Sequence, residues 1–303
     1  MINLSLTSSV GEKGYNSSND VYLVKALLNS YARRANIGVL SMTSKVDPAT
    51  LSLIEVFQRQ VVRMGKPDRL VSSGGGTFNK LIEHLKLGFI KKSLTAPSRG
   101  LLTWEAEGQE GGLYHSRALH VPSPSSGLTL GRGYDMRDKS SSFISSQLVK
   151  AGLNLIDANR LAAAARLKGR AAESFIIQND LLDFEISPQV QLALFRVAYA
   201  EKEQIVLRIC KKADTVAVYG AVDWSVLPKS LLELFVDLTY RGDYSGLTRK
   251  FLQKPLAQGN VQALKTLFSD RSKWSSVPYQ RFELRSKYAS TISVNKLKNK
   301  VTP

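Results

Sequence analysis

The chain has 303 residues, enough for two domains, and its 43% hydrophobic and 22% charged content excludes collagen-like, low-complexity and mucin-like classes. Forty-two Lys and Arg against 25 Asp and Glu give a net charge of +17, so nucleic acid, a membrane surface and an anionic cell wall all qualify as partners. The excess is spread along the chain without a block of five or six like charges, and the basic arm of many nucleic-acid binders is missing.

From Met1 to Thr7 the chain has neither the basic nor the apolar region of a signal peptide. Asp20 is expected to cap a first helix with Val21, Val24, Leu27 and Leu28 inward. Asp47-Pro48 opens a second, with Leu51, Ile54, Val56, Phe57 and Val61 on its apolar face. After the Gly74-Gly75-Gly76 turn, Thr77 opens a third with Phe78, Leu81, Ile82 and Leu85. Residues 1–88 thus read as a three-helix bundle and 89–99, mixing Gly, Ser, Pro and basic residues, as a linker.

Residues 100–303 form the second expected domain: mainly α overall, α+β by virtue of a small hairpin near its start. Helices are expected over 141–151, 157–167, 171–181, 188–203, 228–240, 246–252, 261–268 and 278–288. Leu161 to Ala165 reads as a strong helix former, Cys210 as a buried thiol, and Val294 to Pro303, with three lysines and no acid, as a frayed tail. No run of about 18 apolar residues predicts a membrane span, so stable insertion is not expected.

Chemistry-bearing residues concentrate between 104 and 136. Glu105, Glu107 and Glu110 crowd three acids into six residues of a chain short of acid, and their repulsion suits one of them to remain protonated as a general acid. Glu107 and Glu110 both precede glycine. Leu128, Leu130 and Arg132 alternate with Thr129, Gly131 and Gly133 at strand period, but the segment lacks the rest of a P-loop or dinucleotide fingerprint. His115 and His120, without a third clustered ligand, do not make a zinc site, and neither metal nor organic cofactor is expected.

Two resemblances organise these residues. The order Val46-Asp47-Pro48-Ala49-Thr50 to Phe57-Gln58, then Pro67-Asp68 and Gly75-Gly76-Thr77, resembles the peptidoglycan-binding domains attached to cell-wall hydrolases. A helix-end Glu-Gly, then Ser126-Gly127-Leu128-Thr129-Leu130-Gly131-Arg132-Gly133-Tyr134-Asp135 and an all-helical lobe, resembles phage-type lysozymes and especially their pesticin-like relatives. The likeness extends through Gln189 to Phe195, Val236 to Asp243, and Asp270 to Trp274 leading to Arg281 and Arg285. It implies a muramidase that cleaves the β-1,4 bond between N-acetylmuramic acid and N-acetylglucosamine.

Carried over residue by residue, the resemblance puts the acid on Glu107, the hairpin threonine on Thr129 and the second carboxylate on Asp135. Ordinary phage lysozymes place their aspartate before the threonine, whereas here no acid separates Glu110 from Thr129. Glu107 would protonate the leaving oxygen, aided by packing near Trp104; Asp135 would activate a water that Thr129 orients, and inversion would need the carboxyls about 6.5 to 9.5 Å apart. Glu110 and Glu105 remain alternatives for the acid, while Asp135 also reads as a hairpin-closing turn residue and Thr129 as a plain strand residue. Tyr114, Arg117, His120, Arg132, Tyr134, Tyr240 and Arg241 are candidates for sugar stacking, hydrogen bonding and carboxylate binding.

The expected substrate is bacterial peptidoglycan, reached in the periplasm after synthesis in the cytoplasm. Either a phage endolysin or an antibacterial effector with an immunity or inhibitor protein fits. Nucleic acid is not expected as a partner. A lytic transglycosylase, which uses one glutamate, and a non-catalytic binder of cell wall or another polyanion are the competing readings.

Overall fold

The computed structural model describes residues 4–112 and 114–293, so the stretch 294–303 lies outside the described residues. The fold is mainly α, with two small antiparallel two-stranded sheets among the described residues. Packing divides the chain into two compact units that do not follow its linear order: residues 1–95 with 108–194, and residues 96–107 with 195–303.

In the first unit, α1 (Ser18–Ala35), α2 (Pro48–Phe57) and α3 (Gly76–Gly88) form the expected three helices. Asp47 caps α2 by accepting from Thr50 N at 2.8 Å, as its place before Pro48 predicts. Asp20 differs from expectation. Ser17 occupies the cap of α1, and Asp20 sits in the first turn, where its carboxylate accepts from Thr7 N, Ser8 N and the hydroxyls of Thr7, Ser8 and Ser17. These bonds hold the strand β1 (Val10–Gly11), which pairs with β2 (Leu70–Val71). Lys25, wholly buried, donates to Ser41 O, Thr43 Oγ1 and Asp47 Oδ2, closing the connection between α1 and α2.

The expected linker is docked rather than loose over its first residues. Phe89 stacks on His115 with ring centroids 5.3 Å apart, and Ile90 O accepts from Arg117 Nη2 at 2.9 Å. The three-helix bundle also joins the rest of this unit through α7 (Arg170–Gln178) and the turn after it. There Arg33 forks onto Asp180 and Asp183, while Asn29 Nδ2 donates to Asp180 Oδ2 at 3.0 Å. The hairpin β3 (Thr129–Leu130) and β4 (Tyr134–Asp135) completes the unit, with α5 (Ser141–Lys150) and α6 (Leu155–Ala162) packed as a pair. Helix α6 stops at Ala162 rather than running through the alanine run, because the chain turns to reach Arg166 in a left-handed conformation, φ 66°.

The second unit takes α4 (Leu101–Ala106) and the described residues from 195 to 293. Helix α8 (Pro188–Lys211) outruns the expected 188–203, and α9 (Ala213–Tyr219) was not foreseen. Then come α10 (Lys229–Arg241), α11 (Gly246–Ala257), α12 (Val261–Ser269), a 3-10 turn at Arg271–Trp274 and α13 (Tyr279–Thr291). The stripe Leu231, Leu234, Phe235 and Leu238 is core, as its spacing requires, and Cys210 is a buried free thiol. Helices α4, α10 and α13 pack on one another, which sets the surroundings of Glu107.

Candidate active site

Glu107 ends α4, its N–H bonded to Thr103 O at 2.9 Å and its side chain 26% exposed. Its partner is a cation rather than the neighbouring acids: Oε1 accepts from Arg281 Nη2 at 2.8 Å. Arg281 in turn grips Asp237 with Nε at 3.2 Å and Nη2 at 2.6 Å. Asp237 also accepts from Arg285 Nε at 2.6 Å and from Thr103 Oγ1 at 3.0 Å, while Arg285 Nη1 reaches Asp243 Oδ2 at 2.6 Å. Asp237 and Arg285 are buried, so the paired charges and full hydrogen bonding are what make their burial tolerable. Trp104, expected beside the acid, packs edge-on against Phe195 at 5.0 Å.

Tyr240, on α10, groups with Phe195 and Tyr199, and Lys202 lies 5.8 Å over its ring. Burial, then the charges of Glu107 and Glu201, pushes its hydroxyl well above the ordinary range. Arg241 pairs with Asp243 Oδ1 at 2.6 Å and donates to Ser276 O.

The hairpin brings Thr129, Asp135 and His120 together in the first unit. Thr129 pairs with Asp135 across the hairpin and with His120 on its other side, through His120 N to Thr129 O at 3.2 Å and Thr129 N to His120 O at 2.8 Å. Gly131 and Gly133, at φ 56° and 96°, make the turn, which explains the alternation of glycines noted in the sequence. Thr129 Oγ1 is buried and donates to Gly127 O at 3.1 Å, so its hydroxyl is engaged within its own strand. Asp135 Oδ1 accepts from Gly127 N at 3.1 Å and Arg137 N at 2.8 Å, the hairpin-closing role. His120 is held below the usual imidazole range, chiefly by burial.

Glu110 meets a different fate from Glu107. Its side chain is 6% exposed, with Oε2 accepting from Arg117 Nε at 2.8 Å and Oε1 from Gln191 Nε2 at 3.0 Å. Arg117 also binds Glu185, and His115 Nε2 lies 3.3 Å from Glu185 Oε1. Nδ1 of His115 accepts from Gly111 N at 2.8 Å, and burial, with Arg117 beside it, holds this imidazole below its usual range against the pull of Glu110 and Glu185.

Several expected substrate contacts therefore serve the fold. Arg117 is wholly buried in the cluster just described, and Tyr134 is buried with its hydroxyl on Gln147 Oε1 at 2.6 Å. Arg132 is buried too, donating to Gly108 O at 3.3 Å; a Cβ at Gly108 would come 2.5 Å from its guanidinium carbon, so the glycine after Glu107 makes room for it. Tyr114, 63% exposed, remains open to solvent, as a stacking residue must be.

Residues 100–286 match a family model described as a domain of unknown function, DUF8812. The chain belongs to this family. The DUF8812 match takes in Glu107, the hairpin, Asp237 and Arg281, and starts where the linker was expected to end. No curated protein and no solved structure matches the DUF8812 chain.

Within the DUF8812 segment, Asp237, Arg281 and Arg285 are the residues that the motif reading included in its likeness but gave no role. A signal was present. Asp237 interrupts the apolar stripe of α10, and Arg281 and Arg285 flank Phe282 four positions apart, on the face of α13 that the core requires. Among the described residues no cluster of three metal-ligating side chains occurs, and no helix is long and apolar enough to cross a membrane.

Proposed function

We propose that this protein cleaves the glycan strands of peptidoglycan as a muramidase, with Glu107 as the general acid. The observation that carries the reading is the buried arginine and aspartate network ending on one solvent-reachable carboxylate. An accessible carboxyl at a helix end, fixed by a fork that is itself fixed, suits protonation of a glycosidic oxygen. In the first unit, Asp135 is oriented by two backbone N–H groups and is the carboxylate to which the lysozyme likeness assigns water activation, and residues 1–88 would hold the enzyme on the wall. The positive charge over both parts suits an anionic polymer acting as substrate and surface at once.

The engagement of Thr129 and Asp135 with their own hairpin favours a second reading, a lytic transglycosylase working with Glu107 alone. Digestion of purified sacculi separates the readings. Wild type should release soluble muropeptides, and Glu107→Gln should not. Reducing N-acetylmuramic acid ends, by mass spectrometry, mark the hydrolase and anhydro ends the transglycosylase. No release by wild type, together with sacculus binding, would leave a non-catalytic wall binder.

A further inference from the structure

We propose that Asp237 is a positioning residue whose negative charge balances Arg281 and so allows Glu107 to exist as a neutral acid. The inference rests on the reading of Glu107 as the general acid.

Arg281 has two carboxylate partners, Asp237 and Glu107, and the buried one alone is enough to balance it. Arg281 and Arg285 stand against Asp237 and Asp243, each bond lying between 2.6 and 3.2 Å. Glu107 is a fifth charge, joined to this set by the single bond from Arg281 Nη2. That nitrogen carries two hydrogens and divides them between Asp237 Oδ1 and Glu107 Oε1. When Glu107 gains a proton, Arg281 keeps its bidentate hold on Asp237 and no unpaired cation is left buried. Without Asp237's charge, Arg281 would keep Glu107 as its one carboxylate partner, while Arg285 would share Asp243 with Arg241. The negative charge of Glu107 would then be needed to complete the balance, and the residue would be pinned as a carboxylate unable to donate.

The other groups around Glu107 in this unit do not supply the balance. Glu105 on α4 is exposed and screened, and Arg241 on α10 is drawn to Asp243 on the outer side. From α8, Tyr199, Glu201 and Lys202 surround Tyr240, whose hydroxyl stays protonated throughout the working range. Asp237 is thus the one anion on the Glu107 side of Arg281 that is wholly buried.

The test uses full-length wild type, Asp237→Asn and Arg281→Gln, with two readouts. The first is kcat and KM for purified peptidoglycan against pH. The second is the carboxyl carbon resonance of Glu107 in 13C-labelled protein, assigned by its loss in Glu107→Gln. With Asp237→Asn, both the alkaline limb of the kcat profile and the Glu107 titration should move to lower pH by about one unit or more, with KM little changed. Arg281→Gln should move both to higher pH. A merely structural aspartate would lower activity equally at all pH values and leave the resonance unmoved, which overturns the inference. If wild type releases nothing from peptidoglycan, the hydrolase reading fails while the titration still decides the charge balance. If Asp237→Asn does not fold by circular dichroism, Asp237→Ser takes its place, a downward shift of the Glu107 titration supporting the inference and no shift overturning it.

Discussion

Glu107 and Glu110 stand three positions apart, both precede glycine, and both meet an arginine, yet they end in opposite situations. Glu110 is enclosed, with its two oxygens on Gln191 and Arg117, and belongs to a cluster that fastens the 108–117 loop to residues 89–92 and to Glu185. Glu107 is a quarter exposed and is held by one oxygen to Arg281, whose buried partner is Asp237. Both arginines hold a second anion, Glu185 for Arg117 and Asp237 for Arg281, so the difference between the two acids lies in enclosure and in how many of their oxygens are bonded. A carboxylate with both oxygens bonded and shut off from solvent is structure; one held by a single oxygen and reachable by solvent is open to chemistry.

The largest effect should break the tie between the two acids. Glu107→Gln should lower the rate of muropeptide release by roughly 10² to 10⁴-fold, the ordinary contribution of a general acid, while Glu110→Gln should retain most of its activity when folded. The opposite outcome in a turbidity assay of sacculi would exchange their roles. Next in size are the arginines. Arg117→Met in the first unit takes the guanidinium from buried Glu110 and half-buried Glu185, Arg285→Met in the second takes one from buried Asp237 and half-buried Asp243, and each should cost about 3 to 5 kcal/mol in urea denaturation.

The units should also differ in their response to acid. All three histidines, His84, His115 and His120, lie in the first unit, and burial is the main reason each is held below the usual 6.5. The unfolded chain therefore takes up protons first. Their contribution to stability is fully present above about 6.5 and is lost as pH falls from there towards the folded values. Asp47 acts in the same direction at lower pH. Its carboxyl, held down to about 2 by Lys25 and Thr50 against the cost of burial, loses its stabilising effect between 3.8 and about 2. Hydrogen exchange at pH 7.5 and 5.5 should show protection falling more at Thr129 and Leu130 than along α13; equal losses would contradict this. The smallest effect is at Thr103→Val, which removes one hydrogen bond to Asp237 and should cost about 1 to 3 kcal/mol in the second unit.

Local physics made most elements legible. Asp47 before Pro48, the apolar spacing of α10 and α12, and the glycines at 131 and 133 each carry their cause within a few residues. Failures came where the cause was distant. Asp20 looked like a cap because nothing local reveals that Thr7 and Ser8 would claim its carboxylate. The alanine run after Leu161 had helical propensity, but the turn towards Arg166 overrode it. The resemblance favoured Glu107 over Glu110, but nothing local revealed their different surroundings, because their arginines lie 174 positions away in one case and 7 in the other. Arg117 and Tyr134, attractive as sugar contacts by residue type, are buried by partners that type alone does not announce.

The fork of Arg33 on Asp180 and Asp183 has a practical consequence for dissecting the chain. The family segment begins at residue 100, which invites excision there, but such a cut would remove the whole of α1 from α7. It would leave Asp180 and Asp183 without their cation and would strip Phe89 from His115. A fragment beginning at 100 therefore exposes a wound in its own first unit, and protease trimming should respect the fork rather than the family boundary. The family boundary separates residues 1–95 from the 108–194 stretch with which they pack as one unit.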